Sequence, residues 1–137
     1  MPTFIPVVAA VIQDGRERVL LQQALPGKRH SGMWEFPGGK VEDFETPRFA
    51  LCREVAEELG IELCADEMEP AGFAEEPGLE GHPAIVLLLY NCPTWRGEPD
   101  AREGQQWGWF TRAEARLLEL PAMDRALLQG LDRHDPA

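Results

Sequence analysis

Basic residues are scarce in this sequence, and that shortage argues against one broad class of protein. Only 13 of the 137 residues are Lys or Arg, against 24 Asp or Glu, which gives a formal net charge of -11. Proteins that bind duplex nucleic acid carry a basic face, because contacts to phosphate dominate their affinity. We therefore expect no duplex nucleic acid as a partner. A small phosphorylated ligand stays open, provided that a divalent cation bridges the two sets of negative charge.

Cysteine and long hydrophobic runs are also in short supply. The cysteines Cys52, Cys64 and Cys92 are an odd number without metal-ligand spacing, which indicates reduced thiols rather than a disulfide framework or a zinc site. The longest apolar run, residues 84–90, is far shorter than the ~20 residues that a membrane-spanning helix needs. Residues 1–6 lack the basic and apolar regions of a signal peptide. These absences predict a cytoplasmic protein without a membrane partner.

What the sequence does contain is enough for one folded domain. Its 137 residues fall in the range of ~100–150 that is typical of single domains, and 44% of them are hydrophobic. No repeat or low-complexity segment interrupts it, so we expect one domain over 1–137. The patterns predict strands at 7–12, 18–22, 34–36, 85–90 and 107–110, and polar loops at 26–32, 70–83 and 93–104. Strands interspersed with helices favour an α/β or α+β fold, in which helices cover one sheet.

The longest predicted helix has clear signals at both ends. Thr46 suits the N-cap and Pro47 suits the first helical position, while Gly60 suits the stop after the helix. Its apolar side is expected to comprise Phe49, Cys52, Val55 and Leu59. Two further helices are predicted, one opened by a capping-box sequence at Thr111 and one over 121–128 that Gly130 ends.

The same long helix carries an unusual set of acidic side chains. Glu54, Glu57 and Glu58 are spaced i, i+3 and i+4, so they share an arc of about 100° on one face. Like charges at this spacing repel one another. Two interpretations stay open from the helix alone, a solvated acidic face and a site for a divalent cation such as Mg²⁺ or Mn²⁺, which prefer oxygen ligands.

These glutamates belong to a longer pattern over residues 39–61. The pattern is carried by Gly39, Glu45, Arg53, Glu54, Val55, Glu57, Glu58, Gly60 and Ile61. The segment resembles the Nudix box, G-x5-E-x7-R-E-U-x-E-E-x-G-U with U aliphatic, at every fixed position. The preceding stretch 34–40, WEFPGGK, resembles the MutT-type branch of that superfamily.

The resemblance implies a Nudix fold, with a central mixed β-sheet between helices, and a hydrolase that uses Mg²⁺ or Mn²⁺. The implied metal ligands are Glu54, Glu57, Glu58 and the main-chain carbonyl of Gly38, with Glu103 as another ligand or the general base. In such enzymes the cations lower the pKa of an attacking water and a carboxylate accepts its proton, so these four glutamates are expected to be catalytic. Structural support is implied for Gly39, Glu45 and Arg53.

The phosphate side of the implied site has one match and one departure. Lys40 is placed to meet a phosphate, although a solvated lysine is an equally open interpretation. The branch often carries Arg after the second strand, whereas the matching stretch 22–24 here is Gln-Gln-Ala. Lys28 or Arg29 from the following loop could replace that arginine.

Two residues match positions that face the nucleobase in this branch. Phe36 matches an aromatic residue near the base, with core packing as the alternative. Asp124 falls where the branch carries Asn or Asp, with a helix N-cap as the alternative. An ionised Asp only accepts hydrogen bonds, so it favours an edge with amino donors, such as the N4 amine of cytosine, unless burial raises its pKa.

The leading functional hypothesis is hydrolysis of a nucleoside triphosphate to a monophosphate and pyrophosphate, as in sanitation of the nucleotide pool from 8-oxo-dGTP or a related modified nucleotide. The alternatives are a pyrimidine pyrophosphohydrolase acting on CTP, dCTP or 5-methyl-dCTP, and an ADP-ribose or dinucleotide pyrophosphatase. A non-catalytic Nudix-fold binding module is the rival class, but such a module should have lost box carboxylates. We expect a monomer or weak homodimer.

Overall fold

A computed structural model describes residues 3–134 of the chain. Residues 1, 2 and 135–137 lie outside the described residues. The expected domain 1–137 includes all five, and the segment 1–6, which lacks the features of a signal peptide, includes the first two. The strands are β1 Phe4–Val11, β2 Val19–Gln23, β3 Trp34–Glu35, β4 Gly38–Lys40, β5 Glu62–Leu63, β6 Glu69–Glu76, β7 Ala84–Asn91, β8 Trp95–Arg96 and β9 Trp107–Phe110. The helices are α1 Pro47–Leu59, α2 Arg112–Arg116 and α3 Ala122–His134, with a 3-10 turn at Ala65–Glu67.

The strands form one mixed sheet and two smaller antiparallel ones. The mixed sheet has the order β4-β1-β7-β6, in which β1 and β7 run parallel and both edge strands run antiparallel to their neighbours. The order of the second sheet is β3-β2-β9, and β5 pairs with β8. The predicted α+β class with a mixed sheet is therefore confirmed.

Alternate side chains of β1 enter two separate hydrophobic cores. Val8, Ala10 and the following Ile12 pack with the apolar face of α1. Ala9 and Val11 point to the other side of the strand and pack with residues of α2 and α3. Because the side chains of a strand alternate between faces, one short apolar run serves both cores. The central sheet consequently lies between helices, as expected.

Helix α1 begins and ends where its sequence signals predict. The Thr46 side chain accepts a hydrogen bond from the Phe49 N–H, and Gly60 adopts a left-handed conformation with φ of 70°. Phe49 is nevertheless 67% exposed, so its expected place in the apolar face is wrong. It lies two residues before buried Leu51, roughly 200° around the helix. The buried residues of the helix are Ala50, Leu51, Val55 and Leu59.

Strand β6 corrects the loop predicted over 70–83. Residues 69–76 pair antiparallel with β7, with an irregularity between Pro70 and Gly72. The strand is at the edge of the sheet and most of its side chains are at least partly exposed, so its sequence lacks the alternation of a half-buried strand. Its hydrogen bonds to β7 and its packing against α3 define it instead.

Three smaller predictions also needed correction. Helix α3 continues through Gly130 to His134, because one glycine inside a helix costs only ~1 kcal/mol and Leu127, Leu128 and Leu131 anchor this turn in the core. Gly38 and Gly39, which lie outside the strand predicted at 34–36, form β4 against β1. The loop predicted at 93–104 contains the two-residue strand β8. Within residues 3–134, the helices lack the length and apolarity needed to cross a bilayer.

Candidate active site

A cavity of about 640 Å³ opens between the mixed sheet, β2, α1 and α3. That volume is in the range of small-molecule sites in proteins. Its lining includes eight residues predicted from sequence: Phe36, Gly38, Gly39, Lys40, Glu54, Glu58, Glu103 and Asp124. Three other predicted residues, Glu45, Arg53 and Glu57, are not part of its lining.

The two glycines of β4 allow the main chain to pass between β1 and α1. A Cβ atom on Gly38 would lie 1.9 Å from the Val8 carbonyl oxygen, and one on Gly39 would lie 2.4 Å from the Glu54 carboxyl carbon. Neither position can hold a side chain without displacing the main chain or a carboxylate. The Gly38 N–H also donates to Oε1 of Glu58 at 3.1 Å. The glycines therefore set the distance between strand and helix at the site.

Arg53 joins the loop before α1 to the helix itself. Its guanidinium donates two hydrogen bonds to the Glu45 carboxylate, at 2.7 and 2.8 Å, and a third to the Lys40 carbonyl at 3.1 Å. It also donates to Oε1 of Glu54 at 3.1 Å. These hydrogen bonds to Arg53 hold the pKa of Glu45 at about 2. The contacts match the support expected of the pair, with the guanidinium holding both the loop and one carboxylate of the site.

One end of the cavity, which we call the Glu58 end, brings together Glu54, Glu58 and Glu103. Burial raises the pKa of Glu58 to about 8; the polar groups of Gln22 and Gly38 oppose the shift, and the charges of Glu54 and Glu103 add to it. Burial also raises the pKa of Glu54, although Arg53 opposes the shift. Carboxylates crowded in this way favour either a proton or a cation between them.

Glu57 lies on the same helix face but at its exposed edge. Its side chain is about half exposed, and its carboxylate is 3.5 Å from Nη1 of Arg53. It is close enough to raise the pKa of Glu54 by its charge. The structure thus brings together Glu54, Glu58 and Glu103, and places Glu57 beside them on the side of Arg53.

A different part of the cavity lining, which we call the Asp124 end, contains a second group of acids. Asp124 is 4% exposed, and its Oδ2 accepts a hydrogen bond from the Phe36 N–H at 3.1 Å. It is in the first turn of α3 rather than at an N-cap. Phe36 packs in the core and also lines the cavity, so its core packing is shown and its place near a base stays a prediction. Glu35 lines the cavity as well.

The two acids of the Asp124 end are both shifted toward the neutral form. Burial raises the pKa of Asp124 to about 7, although the hydrogen bond from Phe36 opposes the shift. Burial raises the pKa of Glu35 to about 7, and the charge of Asp124 adds to this. At neutral pH these carboxyls can therefore both donate and accept hydrogen bonds.

Basic side chains line the cavity from the loop after β2. Lys28, Arg29 and His30 all contribute, and Lys40 is exposed at the rim. Arg29 forms an ion pair with Glu76 at the end of β6. Of the two residues expected to replace the missing arginine, Arg29 is thus already paired with a carboxylate.

The family of the chain follows from comparison with known sequences. A profile of the NUDIX domain matches residues 3–131. The chain belongs to the Nudix family. The CTP pyrophosphohydrolase of Escherichia coli (strain K12) is 39% identical to it over 128 residues, which cover 93% of this chain and 90% of that protein. The 8-oxo-dGTP diphosphatase of Proteus vulgaris is 52% identical over 99 residues, 72% of this chain and 84% of that protein.

A solved structure supports the same assignment. The solution structure of the Escherichia coli ORF135 protein matches with a TM-score of 0.83 at 34% identity, covering 99% of this chain and 96% of that one. The chain is a MutT-type Nudix hydrolase, as its box and the preceding stretch predicted. Nudix hydrolases generally need divalent cations, which makes the donor set of the Glu58 end the next question.

The donor set of this Nudix site fits a divalent cation by its chemistry. Its ligand atoms are carboxylate oxygens, which suit Mg²⁺ and Mn²⁺, and their mutual repulsion is what a positive charge would relieve. Among residues 3–134, no group of three or more His, Cys, Asp or Glu side chains is arranged closely enough to hold a metal ion. The carboxylates thus lie at one end of the cavity in an open arrangement.

Three cavity residues of this Nudix hydrolase escaped the sequence analysis. Glu35 precedes Phe36 in the recognised stretch, but its burial beside Asp124 depends on contacts far along the chain. Gln22 and Gln105 are 8% and 6% exposed and hydrogen-bond to each other at 2.9 Å across 83 positions. Gln105 follows Glu103 by two positions, and the burial of its polar side chain is a signal that only the structure supplies.

Proposed function

We propose that this Nudix hydrolase cleaves a nucleoside triphosphate into a nucleoside monophosphate and pyrophosphate, with Mg²⁺ or Mn²⁺ as cofactor. The observation that carries the proposal is that two groups of acids with different neighbours line one cavity. The Glu58 end gathers carboxylates for cations and phosphates, and the Asp124 end offers buried hydrogen-bonding groups beside an aromatic residue. A nucleotide has the same two-part chemistry.

The residues proposed to hold the cations are Glu54, Glu57, Glu58, Glu103 and the carbonyl of Gly38. When bound, the cations would neutralise the phosphate charge and lower the pKa of the attacking water. Arg53 orients Glu54 through their hydrogen bond and opposes the effect of burial, which raises the pKa of Glu54. The Gly38 N–H orients Glu58 in the same way. The protein thereby presents these ligand oxygens from two elements held at a fixed spacing.

Proton transfer is proposed for Glu103. Water attacks phosphorus, the bond to the leaving phosphate oxygen breaks, and one proton of that water has to be accepted. The Glu103 side chain is exposed at the cavity and makes no hydrogen bond with the described residues, whereas Glu54 and Glu58 accept bonds from Arg53 and Gly38. A carboxylate without such partners is the one available as base.

The phosphate chain is proposed to contact Lys40 and Lys28. Both line the cavity, while Arg29 is engaged by Glu76. Lys28 thus supplies the positive charge that the branch often takes from an arginine after the second strand. In an acidic protein, these two lysines would orient the phosphates while cations supply most of the neutralising charge.

The nucleobase is proposed to lie at the Asp124 end, against Phe36. With a pKa near 7, Asp124 is part neutral and part ionised at neutral pH. The neutral acid can donate to a keto oxygen, as in 8-oxo-dGTP, our leading substrate. The ionised form accepts from an amino group, which favours the second candidate, CTP or a related pyrimidine triphosphate. The names of the two relatives, CTP pyrophosphohydrolase and 8-oxo-dGTP diphosphatase, support this pair of candidates.

A substrate panel tests the proposal. Purified protein with Mg²⁺ or Mn²⁺ is assayed against 8-oxo-dGTP, CTP, dCTP, 5-methyl-dCTP and ADP-ribose, with pyrophosphate and monophosphate quantified separately. We expect pyrophosphate from at least one triphosphate and none after EDTA. Turnover of ADP-ribose alone would replace the triphosphate assignment with a dinucleotide one. Tight binding without turnover of any member would make the protein a binding module.

The proposal includes the setting of the enzyme. We propose that residues 1–137 act as one domain in the cytoplasm, where the nucleotide pool is, and as a monomer or weak homodimer. Sedimentation at several protein concentrations tests the assembly. A stable dimer at nanomolar concentration would contradict it.

A further inference from the structure

A buried pair of glutamine side chains connects the two carboxylate-bearing segments of the site. Gln105 is in the loop before β9 and Gln22 is on β2, and both side chains are almost fully buried. Nε2 of Gln105 donates to Oε1 of Gln22 at 2.9 Å and to the main-chain oxygen of Glu58 at 2.8 Å. Its own Oε1 accepts from the Glu103 N–H at 3.1 Å.

Gln22 continues this network to the carboxylate. Its carbonyl oxygen accepts from Gln105, and its side chain is close enough to the carboxyl group of Glu58 to lower the pKa of that group. Gln105 therefore reaches Glu58 twice, once at the main chain and once through Gln22. It reaches Glu103 at the main chain. The three residues tied in this way belong to a strand, a helix end and a loop.

Only a carboxamide satisfies these partners at once. The two hydrogens of the Gln105 amide go to two acceptors, and its oxygen accepts from a donor. A carboxylate of the same size has no hydrogen to donate, and an apolar side chain has neither function. The identity of residue 105 is thus specified by hydrogen bonding rather than by volume.

The rest of this loop is fixed by other contacts that stop short of Glu103. Asp100 N–H donates to the Leu59 carbonyl at 2.9 Å, and the Arg102 side chain donates to the Ala56 carbonyl at 3.3 Å. Glu103 itself is exposed and stands in a tight turn closed by Gly104. The Arg102 N–H also donates to the Glu58 carbonyl at 3.2 Å, so the turn is joined to the end of α1 next to Glu103. The bond from the Glu103 N–H to Gln105 is the contact that acts on Glu103 itself.

We infer that Gln105 is a positioning residue that sets where Glu103 stands relative to Glu58, acting through Gln22 and two main-chain groups. The inference rests on the proposed function, in that the two glutamates are taken as partners at one cation site. Partners of this kind, which orient ligands without touching the metal, typically contribute roughly 10–100-fold to metal affinity or activity. Gln105 thereby determines how the open carboxylate group is held for cation binding.

The main test replaces Gln105 with leucine and measures Mn²⁺ binding directly by the electron paramagnetic resonance signal of free Mn²⁺. We expect Gln105→Leu to weaken Mn²⁺ binding roughly 10–100-fold, and kcat to fall while the KM for nucleotide at saturating metal stays near wild type. The matched control is Gln106→Leu, the same change at an exposed neighbour, which should bind Mn²⁺ like wild type. A folded Gln105→Leu variant that binds Mn²⁺ normally would overturn the inference.

A second variant covers the case in which leucine prevents folding. Gln105→Asn keeps the carboxamide but is one carbon shorter, so it cannot span all three partners. We expect Gln105→Asn to weaken Mn²⁺ binding as well, but less than Gln105→Leu does. An equal loss in Gln106→Leu would show a general effect of the loop and would count against Gln105.

A metal-free measurement separates this inference from the proposed function. Hydrogen exchange of the Glu103 amide is expected to accelerate at least about tenfold in Gln105→Leu, because its acceptor is removed. Amides of β7 should be unchanged. If wild-type protein bound no Mn²⁺, the proposed function would fail, while the exchange result would still decide whether Gln105 holds Glu103. Unchanged exchange at Glu103 would refute that role.

Discussion

The two ends of the cavity solve the same electrostatic problem in different ways. At both ends burial pushes carboxyl groups toward the neutral form, with pKa values near 8 for Glu58 and near 7 for Glu35 and Asp124. At the Glu58 end, additional carboxylates and the Arg53 guanidinium surround the buried acid. At the Asp124 end, a main-chain N–H is the hydrogen-bond partner and a second acid is the neighbour.

The difference indicates what each end is built to accept. Clustered carboxylates with one arginine remain short of positive charge, and a divalent cation supplies it. Two acids with pKa values near 7 are different. Each donates a hydrogen bond when it is protonated and only accepts when it is ionised, and this suits the edge of a nucleobase. The Glu58 end should therefore govern rate and metal dependence, and the Asp124 end should govern selectivity.

Removing a carboxylate from the Glu58 end should have the largest effect. Glu58→Gln keeps the volume but loses a proposed ligand, so we expect turnover to fall by more than the roughly 10–100-fold typical of groups that only orient ligands. Glu57→Gln should also lose catalysis while folding normally. Steady-state kinetics with a Mg²⁺ titration measures this, with exposed Glu69→Gln as control. Wild-type turnover in Glu58→Gln would remove that residue from the catalytic set.

A substitution at the Asp124 end should change selectivity more than rate. Asp124→Asn fixes one donor and one acceptor where the acid has variable protonation, so we expect the ratio of kcat/KM for 8-oxo-dGTP to that for CTP to rise about tenfold, which is the size of one base contact. The panel assay measures the ratio, and exposed Asp66→Asn should leave it unchanged. An equal drop on every nucleotide would assign Asp124 to structure alone.

The pH dependence of stability should separate the two ends. The unfolded chain releases the protons of Glu35 and Asp124 near pH 4, whereas the folded protein holds them to about pH 7. Their stabilising contribution is thus complete below about pH 4 and is lost as the pH rises through about 7. We expect the Tm in EDTA to fall from pH 5 to 8, and to fall less in Asp124→Asn.

Added Mg²⁺ sharpens that measurement. It should remove the part of the pH dependence that comes from Glu58 and leave the part that comes from Asp124. Thermal unfolding with and without Mg²⁺ gives both parts. A pH slope that Asp124→Asn leaves unaltered in either condition would place the responsible acid elsewhere.

A change at an exposed side chain that lines neither end should have the smallest effect, and it shows what conformation alone contributes. Phe44 is fully exposed and adopts a φ of 68°, a left-handed conformation that costs a side chain roughly 1–2 kcal/mol. Phe44→Gly relieves this at a chain-entropy cost of roughly 0.5–1 kcal/mol. We expect a Tm increase of a few degrees and unchanged kinetics. Phe44→Ala, which keeps the Cβ atom, should not be stabilised.

Local signals predicted α1 and its acidic face well, because the causes lie within the helix. Thr46, Gly60 and the spacing of the glutamates act over a few residues. Strand β6 and the end of α3 were missed because partners outside each segment decide them, namely β7 for the strand and the core for the helix. The same holds for Gln105, whose identity depends on Gln22, 83 positions away.

The site residues divide along the same line. Glu54, Glu58 and Gly38 were recognised from a contiguous pattern, and the structure lines the cavity with all three. Glu35 was missed because a single buried carboxyl has no sequence signature until Asp124 is placed beside it. Sequence patterns thus identify candidate site residues, and the fold determines which of their side chains lie next to one another.

The paired glycines of β4 limit how this gene can vary. Every missense codon at position 38 or 39 introduces at least a methyl group, and that group would meet the Val8 carbonyl or the Glu54 carboxylate. A saturation library should therefore contain few survivors at codon 38 when the selection is for expression, and few at codon 39 when the selection is for turnover. The close spacing of β1, β4 and α1 therefore restricts which codons can be inherited at these two positions.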